Sequence, residues 1–139
     1  MQERRKARHQ ALHILYQSEI TAETVGSILG TRSWSEEDGD PAPFCRELLA
    51  GVEAHRATID ATIEGISENW VLSRMPIVDR NILRLAAYEI VFAEDIPASV
   101  SINEAVEMAK VYGGEDSSKF VNGILGRLAD ECGREEEGT

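Results

Sequence analysis

The sequence predicts an all-α fold of about seven helices, and three observations carry that expectation. Apolar residues recur at three- and four-residue steps almost throughout the chain. The alternating, β-branched pattern of strands is nearly absent. The 139 residues, 42% hydrophobic and 28% charged, amount to a single globular domain rather than two. Short connections between so many helices favour compact bundles of neighbours.

The first helix runs from about Glu3 to Glu19, with Ala7, Ala11, Ile14, Leu15 and Ser18 as its inner stripe. Thr21 is placed to cap a short second helix, and Gly30 to end it, because glycine tolerates positive φ. Residues 31–43 are rich in Ser, Asp, Glu and Pro, a composition that predicts a flexible loop burying nothing. Phe44, Leu48, Val52, Ile59, Ile63 and Ile66 mark a long third helix, with Pro43 in its first turn where the missing N–H is harmless. Gly51 inside that helix costs about 1 kcal/mol against alanine, which points to close approach by another helix.

After a turn around residues 69–75, Pro76 opens a helix striped by Val78, Ile82, Leu85, Ala86, Glu89 and Phe92, with Glu89 the polar interruption. Ser101 and Glu104 have the spacing of a capping box at the start of the next helix, which Gly113 and Gly114 stop. Asp116 is placed to cap a last helix whose buried side is Phe120, Val121, Ile124, Leu125, Leu128 and Cys132. Residues 133–139 read as a frayed tail.

The sequence carries no signature of the common enzyme classes. A glycine-rich phosphate cradle ending in Lys-Ser or Lys-Thr, a G-x-G-x-x-G turn and a G-x-S-x-G nucleophile turn are all missing. His9 and His13 lie one helical turn apart, but they lack the intervening Glu of H-E-x-x-H and stand beside arginines that repel a cation, so no metal site is expected. Asp60, Glu64 and Glu68 repeat every four residues without the E-x-x-H partner of a di-iron bundle, and read as a solvated acidic face. No apolar run reaches membrane-spanning length and no signal peptide opens the chain, so a cytoplasmic location is expected, with Cys45 and Cys132 as buried thiols.

The charge is unevenly placed. The net charge is −11, yet the first eight residues hold Arg4, Arg5, Lys6 and Arg8 against Glu3 alone. Cations near a helix N-terminus oppose the macrodipole, so they are not there for helix stability. On a helical wheel Arg5, Arg8, His9, Leu12 and Tyr16 gather opposite the apolar stripe, which turns the Tyr16 ring outward in line with guanidinium groups. An exposed ring beside cations suits single-stranded nucleic acid, which is held by stacking and phosphate contacts. A solvated basic leader accounts for the charge equally well, and composition leaves both readings open.

Four blocks in order carry a family resemblance: R-R-K-A-R-H-Q-A-L-H-I-L-Y-Q at 4–17, V-D-R-N-I-L-R-L-A-A-Y-E at 78–89, I-N-E-A-V-E-M-A-K at 102–110 and S-S-K-F-V-N-G-I-L at 117–125. Together with F-C-R-E-L-L-A-G-V at 44–52 they resemble the NusB family over nearly the whole chain. The resemblance implies two small helical bundles packed together, no catalysis, no cofactor, and a role in bacterial transcription antitermination and ribosomal RNA synthesis. Its implied partners are NusE, which is also a small-subunit ribosomal protein, the single-stranded boxA element of nascent RNA, and the antitermination complex on RNA polymerase.

Carried over by position, the resemblance makes Arg4, Arg5, Lys6 and Arg8 the phosphate grips, although Lys6 cannot form the bidentate fork of arginine. It puts Tyr16 at the junction of RNA and NusE, Asp79 against NusE, and Lys119 on a phosphate. Asp116, Ser117, Phe120 and Asn122 fall in the same block near the RNA, with Phe120 at core spacing. Trp70 falls where the family has an aromatic that either packs or stacks on a base. Two other readings compete: a homodimeric adaptor whose basic arm closes the dimer, and an RNA-targeting module like the one fused to ribosomal RNA cytosine methyltransferases, whose catalytic region this length does not accommodate.

Overall fold

The structure is a computed structural model that describes residues 2–68 and 70–134. Seven helices account for most of them: α1 (Gln2–Thr21), α2 (Val25–Thr31), α3 (Pro43–Ala54), α4 (Arg56–Ser67), α5 (Ile77–Phe92), α6 (Ala98–Gly113) and α7 (Glu115–Glu131). Single 3-10 turns lie at Glu36–Asp38 and Leu72–Arg74, and no strand occurs among the described residues. α1 packs on α2 and α3, α6 lies along α7, and α5 touches α1, α3, α4, α6 and α7, so the two small bundles share α5. That position explains its composition: Ile82, Leu83, Leu85, Ala86, Ala87 and Ile90 are all buried, as are the polar Asp79, Asn81, Arg84 and Glu89.

Gly51 has the reason its sequence context suggested. A Cβ at this position would sit 2.2 Å from the Tyr88 ring, so α3 and α5 approach closely only because residue 51 has no side chain. α6 stops at Gly113, and Gly114 takes φ +89°, as the double glycine predicted.

Other boundaries differ from those the local pattern predicts. α1 extends through Thr21, whose Oγ1 donates to the Gln17 carbonyl, and Thr24 rather than Thr21 caps α2 by accepting from the Ser27 N–H at 3.0 Å. α2 passes through Gly30 and ends at Arg32 in the left-handed region. The single third helix is two, broken at His55 (φ −118°, ψ 19°), whose ring stacks on the partly exposed Phe92 with centroids 4.0 Å apart. α6 starts at Ala98, three residues before the expected capping box, and Ser101 and Glu104 bond to Glu89 and Arg5 instead. Asp116 lies inside the first turn of α7, with Gly114 in the cap position.

The segment 31–43 is not a free loop. Trp34 is buried in the core beneath the Arg32 guanidinium. The Gln10 amide donates to the carbonyls of Asp38 and Asp40, at 2.8 and 3.0 Å, and its Oε1 accepts from the Ala42 N–H. One buried side chain from α1 thus satisfies three backbone groups that the breaker-rich composition left without helical partners. The acidic repeat is likewise partnered: Asp60 accepts from Arg84, Glu64 from the Leu72 N–H and Glu68 from Arg127. Leu12 is buried and Ser18 only partly so, which rotates the inner face of α1 from the stripe expected. Cys45 is buried, with its thiol pushed up to about 12 mainly by burial, whereas Cys132 is exposed. Of the expected frayed tail, Arg134 is buried and donates to the carbonyls of Ile90 and Ile96; residues 135–139 lie outside the described residues.

Gly51→Ala should lower unfolding stability by about 1–3 kcal/mol, since the new methyl must displace the Tyr88 ring. Urea unfolding followed by circular dichroism measures this, and unchanged stability would contradict the close contact.

Candidate nucleic-acid interface

The cations of α1 divide into two kinds. Arg8 is buried: its Nε and Nη2 donate to the two oxygens of Glu89, both at 2.8 Å, and Glu89 Oε1 also accepts from Ser101 Oγ at 2.6 Å. This corrects its assignment as a phosphate grip, because Nε and Nη2 are committed to a buried carboxylate, while the guanidinium also lies 5.4 Å from the centre of the Phe44 ring. Arg5 is exposed but bidentate to Glu104, at 3.0 and 2.9 Å. That hydrogen bonding is the main reason the Glu104 carboxyl is held below its ordinary range.

Arg4 and Lys6 are exposed and form no ion pair among the described residues. The Arg4 guanidinium lies 4.9 Å from the centre of the Phe44 ring, and both cations line a groove of about 570 Å³ with Gln10, Asp40 and Phe44. α1 supplies the charges and the start of α3 supplies the aromatic floor, so the groove offers a ring face beside cations free to meet phosphate.

Tyr16 stands outward, 42% exposed, about 18 Å farther along the helix axis at 1.5 Å per residue. It lines a second groove, of about 330 Å³, with Asp79, Tyr112, Gly113 and Ser117. A third, of about 300 Å³, shares Pro76, Asp79 and Ser117 with it and adds Trp70, Met75, Asp116 and Phe120. Trp70 is exposed and meets the half-buried Phe120 edge-on, with centroids 6.1 Å apart. The fold therefore gathers Tyr16, Trp70, Asp79, Asp116, Ser117 and Phe120, from four parts of the chain, onto one surface. Lys119 and Asn122 are exposed on α7 and line neither groove.

Asp79 is the unusual group of this surface. It is only 5% exposed, accepts from Ser117 Oγ at 2.9 Å, and has its carboxyl raised by burial despite that bond. Gly113 makes the arrangement possible, for a Cβ there would meet Ser117 Oγ at 2.3 Å.

Between the two ends of the α1 face lie residues that sequence reasoning did not assign to the interface. His9 Nδ1 and His13 Nε2 both approach Tyr112 Oη, at 2.8 and 3.0 Å, and His13 Nδ1 lies 3.0 Å from both Asp38 oxygens. The four-residue spacing of the histidines was visible in the sequence, but their bridge through α6 was not.

A model described as the NusB family matches residues 5–130. The chain belongs to the NusB family. It is 46% identical over 137 residues to the transcription antitermination protein NusB of Desulfitobacterium hafniense, covering 96% of this chain and 93% of that protein. Among solved structures it resembles T. maritima NusB, at 40% identity and a TM-score of 0.79 over 92% of this chain and 91% of that one. It also resembles a chain of the crystal structure of antitermination factors NusB and NusE in complex with dsRNA, at 26% identity and a TM-score of 0.77, covering 94% of this chain and 98% of that one. The family match opens at Arg5, so Arg4 of the cationic groove lies just outside it.

For this NusB-family chain, Arg8→Ala should cost about 3–5 kcal/mol of stability because it strands the buried Glu89 carboxylate. Arg4→Ala should stay within about 0.5 kcal/mol of the wild type. Paired urea titrations measure both, and equal stabilities would refute the division between buried and free cations.

Proposed function

We propose that this chain binds single-stranded boxA RNA together with NusE, and that the pair joins the antitermination complex on RNA polymerase during ribosomal RNA transcription in the cytoplasm. The observation that carries the proposal is the surface built on α1, where Arg4 and Lys6, free of ion pairs among the described residues, line a groove with Phe44 near its start and Tyr16 stands exposed farther along. Kinship with a NusB crystallised with NusE and dsRNA supports the pairing with NusE and RNA.

In this reading Arg4 and Lys6 hold phosphates, and the chain performs no catalysis. Arg5 adds to the local field while its fork stays on Glu104. Lys119, exposed on α7, is a further phosphate ligand, and Asn122 lies beside the path. Tyr16 serves both RNA and NusE. The surface around Asp79 and Ser117 receives NusE, and the exposed ring of Trp70 supplies apolar area beside it. A short single strand meets only this local patch, which lets a chain of net charge −11 bind a polyanion.

Replacing Arg4 and Lys6 together by alanine should weaken RNA binding and flatten its salt dependence, by about 0.7 in the logarithmic slope for each phosphate that is no longer neutralised. Fluorescence anisotropy at several salt concentrations reads this, and an unaltered slope would remove the groove from the RNA path. Asp79→Asn keeps an acceptor for Ser117 and removes a charge that burial opposes, so at pH 7 it should unfold no earlier than the wild type. The same variant should bind NusE more weakly in calorimetry, and undiminished NusE binding would take Asp79 out of the interface.

A further inference from the structure

His9 and His13 stand one turn apart on the face of α1 that joins the cationic groove to Tyr16, and Tyr112 of α6 bridges them. We propose that His9, Tyr112 and His13 form a proton-gated site for an RNA phosphodiester midway along α1. The inference rests on the RNA reading above and adds a site and a control to it.

The hydrogen positions follow from the acceptors. A bare nitrogen facing a carboxylate is repelled, so His13 Nδ1 carries a hydrogen and donates to Asp38. In the uncharged cluster His13 Nε2 then accepts from the Tyr112 hydroxyl, whose oxygen accepts from His9 Nδ1–H. His9 Nε2 is left as a bare acceptor. It has no partner among the described residues and is not a buried unsatisfied atom, so it meets solvent.

One added proton changes that outward atom by either of two routes. Taken up by His9, it sits on Nε2. Taken up by His13, it reverses the chain, so that His13 Nε2–H donates to Tyr112, Tyr112 donates to His9 Nδ1, and the His9 hydrogen moves to Nε2. In both cases an acceptor becomes a donor and the cluster gains one positive charge. A phosphodiester offers acceptors and negative charge alone, so it engages the protonated form.

The groups facing His9 are Arg5 and His13 on α1, Glu104 and Tyr112 on α6, and Asp38 on the 3-10 turn. Burial first and then the His13 charge hold His9 below the ordinary histidine range, Arg5 acts in the same direction, and Glu104 and Asp38 oppose them. In the free chain burial thus favours the uncharged His9 ring. A phosphate docked on Nε2 raises the proton affinity of the cluster, so binding takes up a proton and affinity increases as pH falls.

The test measures affinity for a single-stranded boxA oligonucleotide by anisotropy, with NusE saturating, from pH 8 to pH 6 at constant ionic strength. The ratio of wild-type to His9→Gln affinity should grow by about three- to fivefold across that range, because one unit of pKa shift gives tenfold only once the pH lies below the free-state midpoint. A ratio that stays constant would overturn the gated site while leaving the RNA reading intact. Loss of all binding by the wild type at every pH would overturn that reading and this inference with it. Should His9→Gln fail to fold, NMR titration of the wild-type His9 ring decides: RNA should move its midpoint to higher pH, and an unmoved midpoint would refute the site.

Discussion

The buried ion pair of Arg8 and Glu89 is the constraint around which the rest of this molecule is arranged. It joins α1 to α5, and Ser101 ties α6 to the same carboxylate. Two charges removed from water are tolerable only when nearly every donor and acceptor is used, and here the bidentate fork and the serine hydroxyl use them. The pair fixes the rotation of α1 about its own axis. With Arg8 turned inward, Leu12 follows it into the core, and Arg4, Lys6, His9 and Tyr16 are left on accessible faces.

That rotation sorts a run of similar cations into different tasks. Arg8 holds the helices together, Arg5 is shared with Glu104 on α6, and Arg4 and Lys6 remain available beside the Phe44 ring. A second polar junction repeats the logic at the other end of α1. There Glu19 accepts from Arg80, Asn81 and Arg84, and Arg84 continues to Asp60 on α4. Burial pushes the Glu19 carboxyl up, but these donors and the charges of Arg80 and Arg84 prevail and hold it below its ordinary range. Both ends of α1 are thus fastened by charge-assisted hydrogen bonds, and its middle presents the His9, Tyr112 and His13 cluster on a rigid support.

How much was legible before the structure depends on the range of the interaction. The helices were legible because a stripe such as Ile82, Leu85, Ala86 and Glu89 is written in local spacing, and family membership followed from ordered blocks of residues. The close approach at Gly51 was legible because a helical glycine needs a reason, and Tyr88 is that reason. The supposed caps at Thr21, Ser101 and Asp116 failed because side chains able to close a helix locally were drawn elsewhere or displaced by a residue or two. The loop at 31–43 was expected to bury nothing, yet Trp34 enters the core and Gln10, distant in sequence, satisfies its backbone.

The sequence by itself determined an all-helical chain of the NusB family with a cationic start and an outward Tyr16, since periodicity, charge order and motif blocks are properties of neighbouring residues. Only the tertiary structure decided which cation is buried. The partner that claims Arg8 lies 81 residues away, and no wheel drawn on α1 alone can weigh a carboxylate that arrives on another helix. The same holds for Tyr112, which comes from α6 to bridge two histidines of α1, and for Ser117, which comes from α7 to meet Asp79. Helical spacing sets which residues share a face, whereas the pairing of buried charges sets which face looks outward.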